Sequence, residues 1–324
     1  MRFVQKQVSN MNKPTLFFTV GFPGSGKSTW LENNKEKLNM VIHSSDEIRA
    51  ELLDDVNDQS KNDLVFKTLH SRVKEDLLNG KNVAMDQTGL NRKRRIAFLQ
   101  ELKHIPCKKV CVLFATPYQI CLANNFARER HVPEDVIARM YKSFEVPCKQ
   151  EGWDDIQIIW WDYIDMIGFE YDLDKDFKKW IKIGHDNPNH SLSIGNHMLE
   201  AYNHYMSTIN YNIYEKNLLA DAILFHDCGK PYVKNFVDSK GNPSETAHYY
   251  SHENISSYLS LFYMRENDYT DEDILEVSLL IGLHMRPFLA WKQSDKAKEK
   301  DRRLYGDDII KQVDIIHECD RAAH

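Results

Sequence analysis

Along the first half of the chain, short apolar runs alternate with longer stretches of mixed pattern. The runs are "TLFFTV" (15–20), "MVIHS" (40–44), "NVAMD" (82–86), "KKVCVLFA" (108–115) and "IQIIWW" (156–161). Each is short and apolar enough to predict a buried strand. Helices are predicted between them, over 27–38, 46–54, 60–79, 91–103, 117–129 and 133–143. This alternation predicts an α/β domain, a parallel sheet with helices on both faces. After Trp161 the strand signals fade. Segments near 193–208, 215–228, 246–265, 271–285 and 307–322 read as helices. An all-α second domain is therefore expected, with the boundary in the acidic "DYIDMIGFEYDLDKDFKKW", giving domains 1–165 and 166–324. A length of 324 residues fits two domains. No internal repeat stands out, and "KQSDKAKEKDRR" (292–303) reads as a solvated charged run.

Composition refines this picture. No uncharged apolar run is long enough to span a bilayer, and "MRFVQKQVSNMNK" lacks the apolar core of a signal peptide. The six cysteines form no C-x-x-C pair, so a reducing, cytoplasmic setting without disulfides or zinc knuckles is expected. Residues 1–165 hold 24 Lys and Arg against 22 Asp and Glu, and residues 166–324 hold 18 against 26, nets of +2 and −8. Neither balance is that of a tight non-specific nucleic-acid binder, so any such contact should be local. Ten of the fourteen histidines follow residue 180, which enriches the second half in ligand-type side chains.

The first strand runs into Gly21-x-x-x-x-Gly26-Lys27-Ser28 and then a helix. Backbone N–H groups of such a loop wrap phosphate oxygens, and the helix start adds partial positive charge. Gly21, Gly24, Ser25, Gly26, Lys27, Ser28 and Thr29 are the candidate nucleotide-binding residues, with Lys27 on the outer phosphates and Ser28 on Mg²⁺. In "VIHSSDEIRAEL", Asp46 and Arg49 share one face of a helix start. Either Asp46 takes the proton of an attacking hydroxyl while Arg49 holds an acceptor phosphate, or Asp46 is an N-cap and Arg49 a surface residue. Asp86 ends the third strand, where it either orders Mg²⁺ or caps the next helix. The basic cluster Arg92, Lys93, Arg94 and Arg95 faces either a polyanion or solvent. In "NNFARERHVPEDVIARMYKSFEVP", Arg128 and Arg130 precede a helix begun by Pro133. They either close on a transferring phosphoryl group or pair with Glu129 on the surface.

Together, G-x-P-G-S-G-K-S-T, "SSDEIR", "MDQTGLNRKRR" and the lid ending in "VPEDVIARMYKSFE" resemble the P-loop kinases of the polynucleotide 5′-kinase type, over residues 14–163. The resemblance implies ATP-dependent phosphorylation of a 5′-hydroxyl, with Asp46 as base, Arg49 on the acceptor phosphate and a lid arginine, Arg128 or Arg130, at the transferred phosphate.

In the second half, "LLADAILFHDCGKPYV" (218–233) is a buried-helix composition that ends in His226 and Asp227 side by side. A charge at the end of a buried helix is costly unless paired or bound to a metal. Further candidate ligands are His197, His252, His284 and Asp320, on separate predicted helices. A bundle can project such groups into one site, and a mixed N/O set suits Mn, Fe, Ni, Co or Zn better than Ca. His204, His248 and His317 read as ordinary core or surface histidines.

The order H…HD…D with "HDCGKP" intact, preceded by "NPNHSLSIGNH" and followed by "SHENIS", resembles the HD phosphohydrolase superfamily over roughly 185–324. It implies an all-α fold and a metal site from His197, His226, Asp227 and Asp320. His252 and His284 match positions used for a second metal or the substrate phosphate, and Lys230 matches a phosphate contact. His190 is either a further candidate or a residue of the helix entry. The chain ends four residues after Asp320, which predicts a compact bundle or a missing tail.

One half would add phosphate and the other remove it, which is consistent if they act on different ends of a strand. The pair resembles end-healing polynucleotide kinase-phosphatases with an HD phosphatase, here with the kinase first. A bifunctional enzyme of RNA or DNA ends is therefore expected, feeding a ligase and independent of membranes. Two alternatives remain open. One is a nucleoside or nucleotide kinase joined to an HD nucleotidase. The other is a nucleotide-gated binding module, for which a full ligand set has no use.

Overall fold

The computed structural model describes residues 13–161, 171–188, 190–208, 217–265 and 269–324. The domain boundary expected at 165/166 and the first twelve residues lie outside these.

The first half is built on five parallel strands: β1 (Thr15–Val20), β2 (Met40–Ser44), β3 (Asn82–Asp86), β4 (Lys108–Ala115) and β5 (Asp155–Trp160). Their order is β2-β3-β1-β4-β5, with Phe17 opposite both Ala84 and Val110. Between them run α1 (Lys27–Leu38), α2 (Ser45–Leu53), α3 (Asn62–Leu78), α4 (Arg92–Glu101), α5 (Tyr118–Phe126) and α6 (Glu134–Lys142). Period-two alternation splits the strand side chains between two cores. Phe17, Ala84, Val110, Val112 and Phe114 pack with Leu31 of α1 on one face. Leu16, Phe18, Val83, Met85, Cys111 and Leu113 pack with α3 and α4 on the other. Burial on both faces is why the strands read as unbroken apolar runs.

The second half holds α7 (Leu173–Trp180), α8 (Ile194–Thr208), α9 (Leu218–Phe225), α10 (Lys230–Val233), α11 (His252–Arg265), α12 (Asp271–Leu283), α13 (Asp295–Tyr305) and α14 (Asp307–Ala322). It is not wholly helical. A hairpin of β6 (Asn235–Val237) and β7 (Pro243–His248) interrupts it, turned by Asp238, whose Oδ1 accepts from the N–H groups of Lys240 and Asn242. Its polar, half-exposed residues carry no apolar run, so the expectation of helices alone overlooked it.

The two halves share a core. Phe22 of the glycine loop packs on Tyr258 of α11 with ring centroids 4.9 Å apart, and Phe144 lies 4.8 Å from the same ring. The buried Tyr258 hydroxyl donates to the Thr116 carbonyl at 2.6 Å. Tyr258→Phe is expected to leave that carbonyl with only the weak Cys121 Sγ donor, at 3.5 Å, and to lower stability by about 1 kcal/mol in denaturant titration.

All six cysteines are free and buried. One helical stretch, Asp271–Trp291, is long and apolar enough to cross a membrane by length and composition, and 61% of its apolar window is buried inside the protein. It carries Glu276 and Arg286, so the expectation of no uncharged run holds for it.

Candidate functional sites

The loop between β1 and α1 is shaped for phosphate. Gly24 has φ +81°, and a Cβ there would sit 2.2 Å from the Cys121 carbonyl oxygen, so only glycine fits. Thr116 Oγ1 donates to the Ser25 carbonyl and Asn124 Nδ2 to the Gly24 carbonyl, tying the loop to β4 and α5. Gly21 and Gly26 bracket it, with Gly26 at the N-cap of α1. Lys27 folds back, its Nζ donating to the carbonyls of Gly21 (3.0 Å) and Phe22 (2.7 Å). Burial pulls its pKa down to about 8, although the Asp86 charge opposes this. Ser28 Oγ donates to Asp86 Oδ2 at 2.7 Å, and Thr29 is exposed beside it. Asp86 thus meets the loop, while Asn91 caps α4. The Ser28–Asp86 oxygen pair fits a hard cation such as Mg²⁺.

Ser44, not Asp46, is the N-cap of α2. The Asp46 carboxylate lies between two guanidinium groups, Arg49 Nη1 at 2.9 Å and Arg130 Nη1 at 3.0 Å. Arg49 is buried and also donates to Asn62 Oδ1. Arg130 reaches across to Asn57 Oδ1 and the Val56 carbonyl, and so pairs with Asp46 where Glu129 was an open alternative. Arg128 makes no ion pair among the described residues, but its charge helps to lower the Lys27 pKa. The short lid is pinned by buried Asn125, whose amide exchanges two hydrogen bonds with the Val132 backbone. Sequence reading missed Asn125; the doubled asparagine in "NNFARERHVP" was its signal.

The basic cluster on α4 divides. Lys93 and Arg94 are exposed, but Arg92 and Arg95 are core residues. Arg95 donates to both oxygens of fully buried Glu151, at 2.7 and 2.6 Å. Arg92 donates to Glu151, the Val146 carbonyl and the Tyr305 hydroxyl. These two face neither a polyanion nor solvent.

In the second half, the separate elements bring their histidines and aspartates together. His197 Nε2 lies 2.9 Å from Asp320 Oδ1 and 3.5 Å from Asp227 Oδ2. His226 Nε2 lies 3.3 Å from Asp227 Oδ2 and 3.6 Å from Asp320 Oδ1. On the other side of Asp227, Oδ1 is 3.1 Å from His252 Nε2 and 3.8 Å from His284 Nε2. Two of the donor groups that could hold a metal, His197–His226–Asp227–Asp320 and Asp227–His252–His284, share Asp227. Lys230 Nζ approaches Asp227 Oδ2 at 2.6 Å and His185 Nε2 at 3.4 Å.

The ring orientations follow from the backbone. His226 Nδ1 faces the Ile223 carbonyl, His284 Nδ1 the Ile281 carbonyl and His252 Nδ1 the Tyr249 carbonyl, at 2.7, 2.7 and 2.8 Å. A carbonyl only accepts, so each Nδ1 carries a hydrogen, and each ring in its neutral form turns an Nε2 lone pair inward. His252 and His284 then face one another Nε2 to Nε2 at 3.2 Å, an arrangement that a shared cation would relieve. His226 Nε2 is buried without a hydrogen bond. Burial opposes charge on His226, yet Asp227 and Asp320 outweigh it and raise its pKa to about 10. Burial, then His252 and His226, push His284 down to about 3. Burial also opposes charge on Asp227, but Lys230 and His226 hold it well below the carboxylate range. The donor set fits a divalent transition metal.

The turn after Asp227 is tight because Gly229 abuts α11. A Cβ there would lie 2.5 Å from the His252 carbonyl oxygen, and its N–H donates to Ser256 Oγ. His190 stacks on His185 at 4.0 Å and groups with His197 and His324. His185 and His324 were not singled out from sequence; the density of histidine beyond residue 180 was the available signal.

Residues 16–147 match the family model AAA_33, an AAA domain, and with its loop this part of the chain is a P-loop kinase domain. The chain is 26% identical over 144 residues to L-seryl-tRNA(Sec) kinase of Methanococcus maripaludis, a match that covers 43% of this chain and 56% of that protein. The chain thus spans about half the length of this relative. Two solved structures are similar in part. A chain of the Pnkp1/Rnl/Hen1 RNA repair complex is 21% identical, with 41% of this chain and 44% of that one covered and a TM-score of 0.35. A gluconokinase from Sinorhizobium meliloti is 15% identical, with 46% and 83% covered and a TM-score of 0.35.

Proposed function

We propose that this chain heals nucleic-acid ends, phosphorylating a 5′-hydroxyl in its first half and removing a 2′,3′-cyclic phosphate or 3′-phosphate in its second, an HD-type phosphohydrolase domain. The observation that carries the reading is one chain holding both a P-loop and two donor groups that share Asp227. The likeness to a tRNA kinase supports an acceptor hydroxyl borne on RNA.

In the first half, the loop from Gly21 to Thr29 binds ATP, and Ser28 and Asp86 hold Mg²⁺. Asp46 accepts the proton of the attacking hydroxyl, and Arg49 fixes both Asp46 and an acceptor phosphate. Arg130 leaves Asp46 for the transferred phosphoryl group, whose charge it stabilises. In the second half, His197, His226, Asp227 and Asp320 hold one divalent ion, and Asp227, His252 and His284 a second. Such an ion supplies Lewis acidity and acidifies water near neutral pH. Lys230 holds the substrate phosphate. The products, a 5′-phosphate and a 3′-hydroxyl, are what a ligase requires, which makes a ligase the partner that follows.

The test is a 5′-hydroxyl, 2′,3′-cyclic-phosphate RNA with ATP and a panel of Mg, Mn, Fe, Co, Ni and Zn, both ends being followed. New 5′-phosphate and loss of the cyclic phosphate are expected. Lys27→Ala should cost about 100-fold or more in phosphoryl transfer, the scale of losing one preorganised donor, and leave the 3′ reaction in place. Preferential phosphorylation of free nucleosides would show a small-molecule kinase instead.

A further inference from the structure

Between the two halves lies a cleft of about 650 Å³. One wall is formed by the start of α4 and the end of α6, the other by the turn after α12 and by α13. Its volume is in the range that takes a nucleotide-sized group. The lining is divided. Ile96, Leu283, Leu289 and Leu304 form an apolar side. Lys93, Lys142 and Lys300 bring three ammonium groups, none of them ion-paired with a described residue.

Two of the three carboxylates lining the cleft are already engaged by donors, against three lysines unpaired among the described residues. Asp301 Oδ2 accepts from Arg286 Nε and Trp291 Nε1, both at 2.8 Å. Glu145 Oε2 accepts from the Arg92 N–H at 2.9 Å and so occupies the start of α4. Glu253 lies 3.7 Å from His252 Nδ1. The uncompensated charge is therefore positive, although the half that supplies Lys300 has a net charge of −8. The cleft also adjoins the histidine cluster along the chain. Glu253 and Asn254 follow His252, and Leu283 and Met285 flank His284.

We infer that this cleft binds a nucleotide unit of a nucleic-acid strand, its phosphate among Lys93, Lys142 and Lys300 and its base against the apolar side. The strand as source of that unit rests on the proposed function. A free nucleotide has the same chemistry, and the test separates the two.

Each lysine–phosphate contact releases counterion, about 0.7 in the salt slope for a single strand. The K93E/K142E/K300E variant, compared with the native protein, is titrated with a labelled single-stranded RNA of about 12 nucleotides and separately with uridine monophosphate. The variant should bind the RNA at least about tenfold more weakly, with a salt slope shallower by about 2 units. K93A/K142A/K300A should fall between the two. All three lysines are exposed, and equal melting temperatures confirm that the variants fold. Unchanged RNA binding with weakened uridine monophosphate binding overturns the strand assignment in favour of a free nucleotide. No change with either probe overturns the site. Phosphorylation of a 5′-hydroxyl dinucleotide by the native protein reads the proposed function separately, so its absence removes that function while leaving the binding result intact.

Discussion

Asp227→Ala is expected to abolish removal of the 3′-end phosphate, a loss well beyond about 100-fold, while 5′ phosphorylation continues. Asp227 is the only carboxylate among the described residues common to both donor groups, Oδ1 facing His252 and His284 and Oδ2 facing His197 and His226. Its removal should therefore lower bound metal at both positions, as measured by elemental analysis of the purified protein. Asp320→Ala touches only one group and should retain metal at the His252–His284 side. The sign of the stability change is also fixed. Without Asp227 the buried Lys230 ammonium loses its 2.6 Å partner, and an unpaired buried charge destabilises. A variant that melts earlier but keeps its metal and its 3′ activity would refute the shared-ligand arrangement.

Glu151→Ala should have the largest effect on stability, about 3–5 kcal/mol. Its side chain is fully buried and answers both Arg92 and Arg95, and it accepts from Trp153 Nε1 at 3.0 Å. Alanine would leave two buried guanidinium groups without their carboxylate. Glu151→Gln keeps the volume and some of the hydrogen bonds, so its loss should be smaller. Urea titration of the three proteins measures both; a loss under about 1 kcal/mol for the alanine variant would show that the arginines are served by their carbonyl partners alone.

These two cases show what can be read from sequence and what cannot. The strands β1, β2, β3 and β4 are legible to the residue because burial concentrates apolar side chains in each run, with the polar residues mostly at its ends. The histidine–aspartate cluster is legible as a set of candidates because His226 and Asp227 follow a helix too apolar to tolerate them otherwise. Their distances are not, since nothing local relates His197 to Asp320 across the chain. Arg92 and Arg95 were open to reading as surface because four successive basic residues ordinarily are solvated. Their spacing of three puts them on one helix face, but their partner Glu151 lies more than fifty residues away and carries no motif. The hairpin β6–β7 escaped for the opposite reason: its order comes from turn hydrogen bonds around Asp238, not from apolar residues.

The ring of Phe22 belongs to the loop that would cradle triphosphate, yet it rests against Tyr258, on the helix that opens with His252. The two halves are thus joined through a shared aromatic core. Separating the halves would bare the rings of Phe22, Phe144 and Tyr258 to water, so neither half should keep its full stability alone.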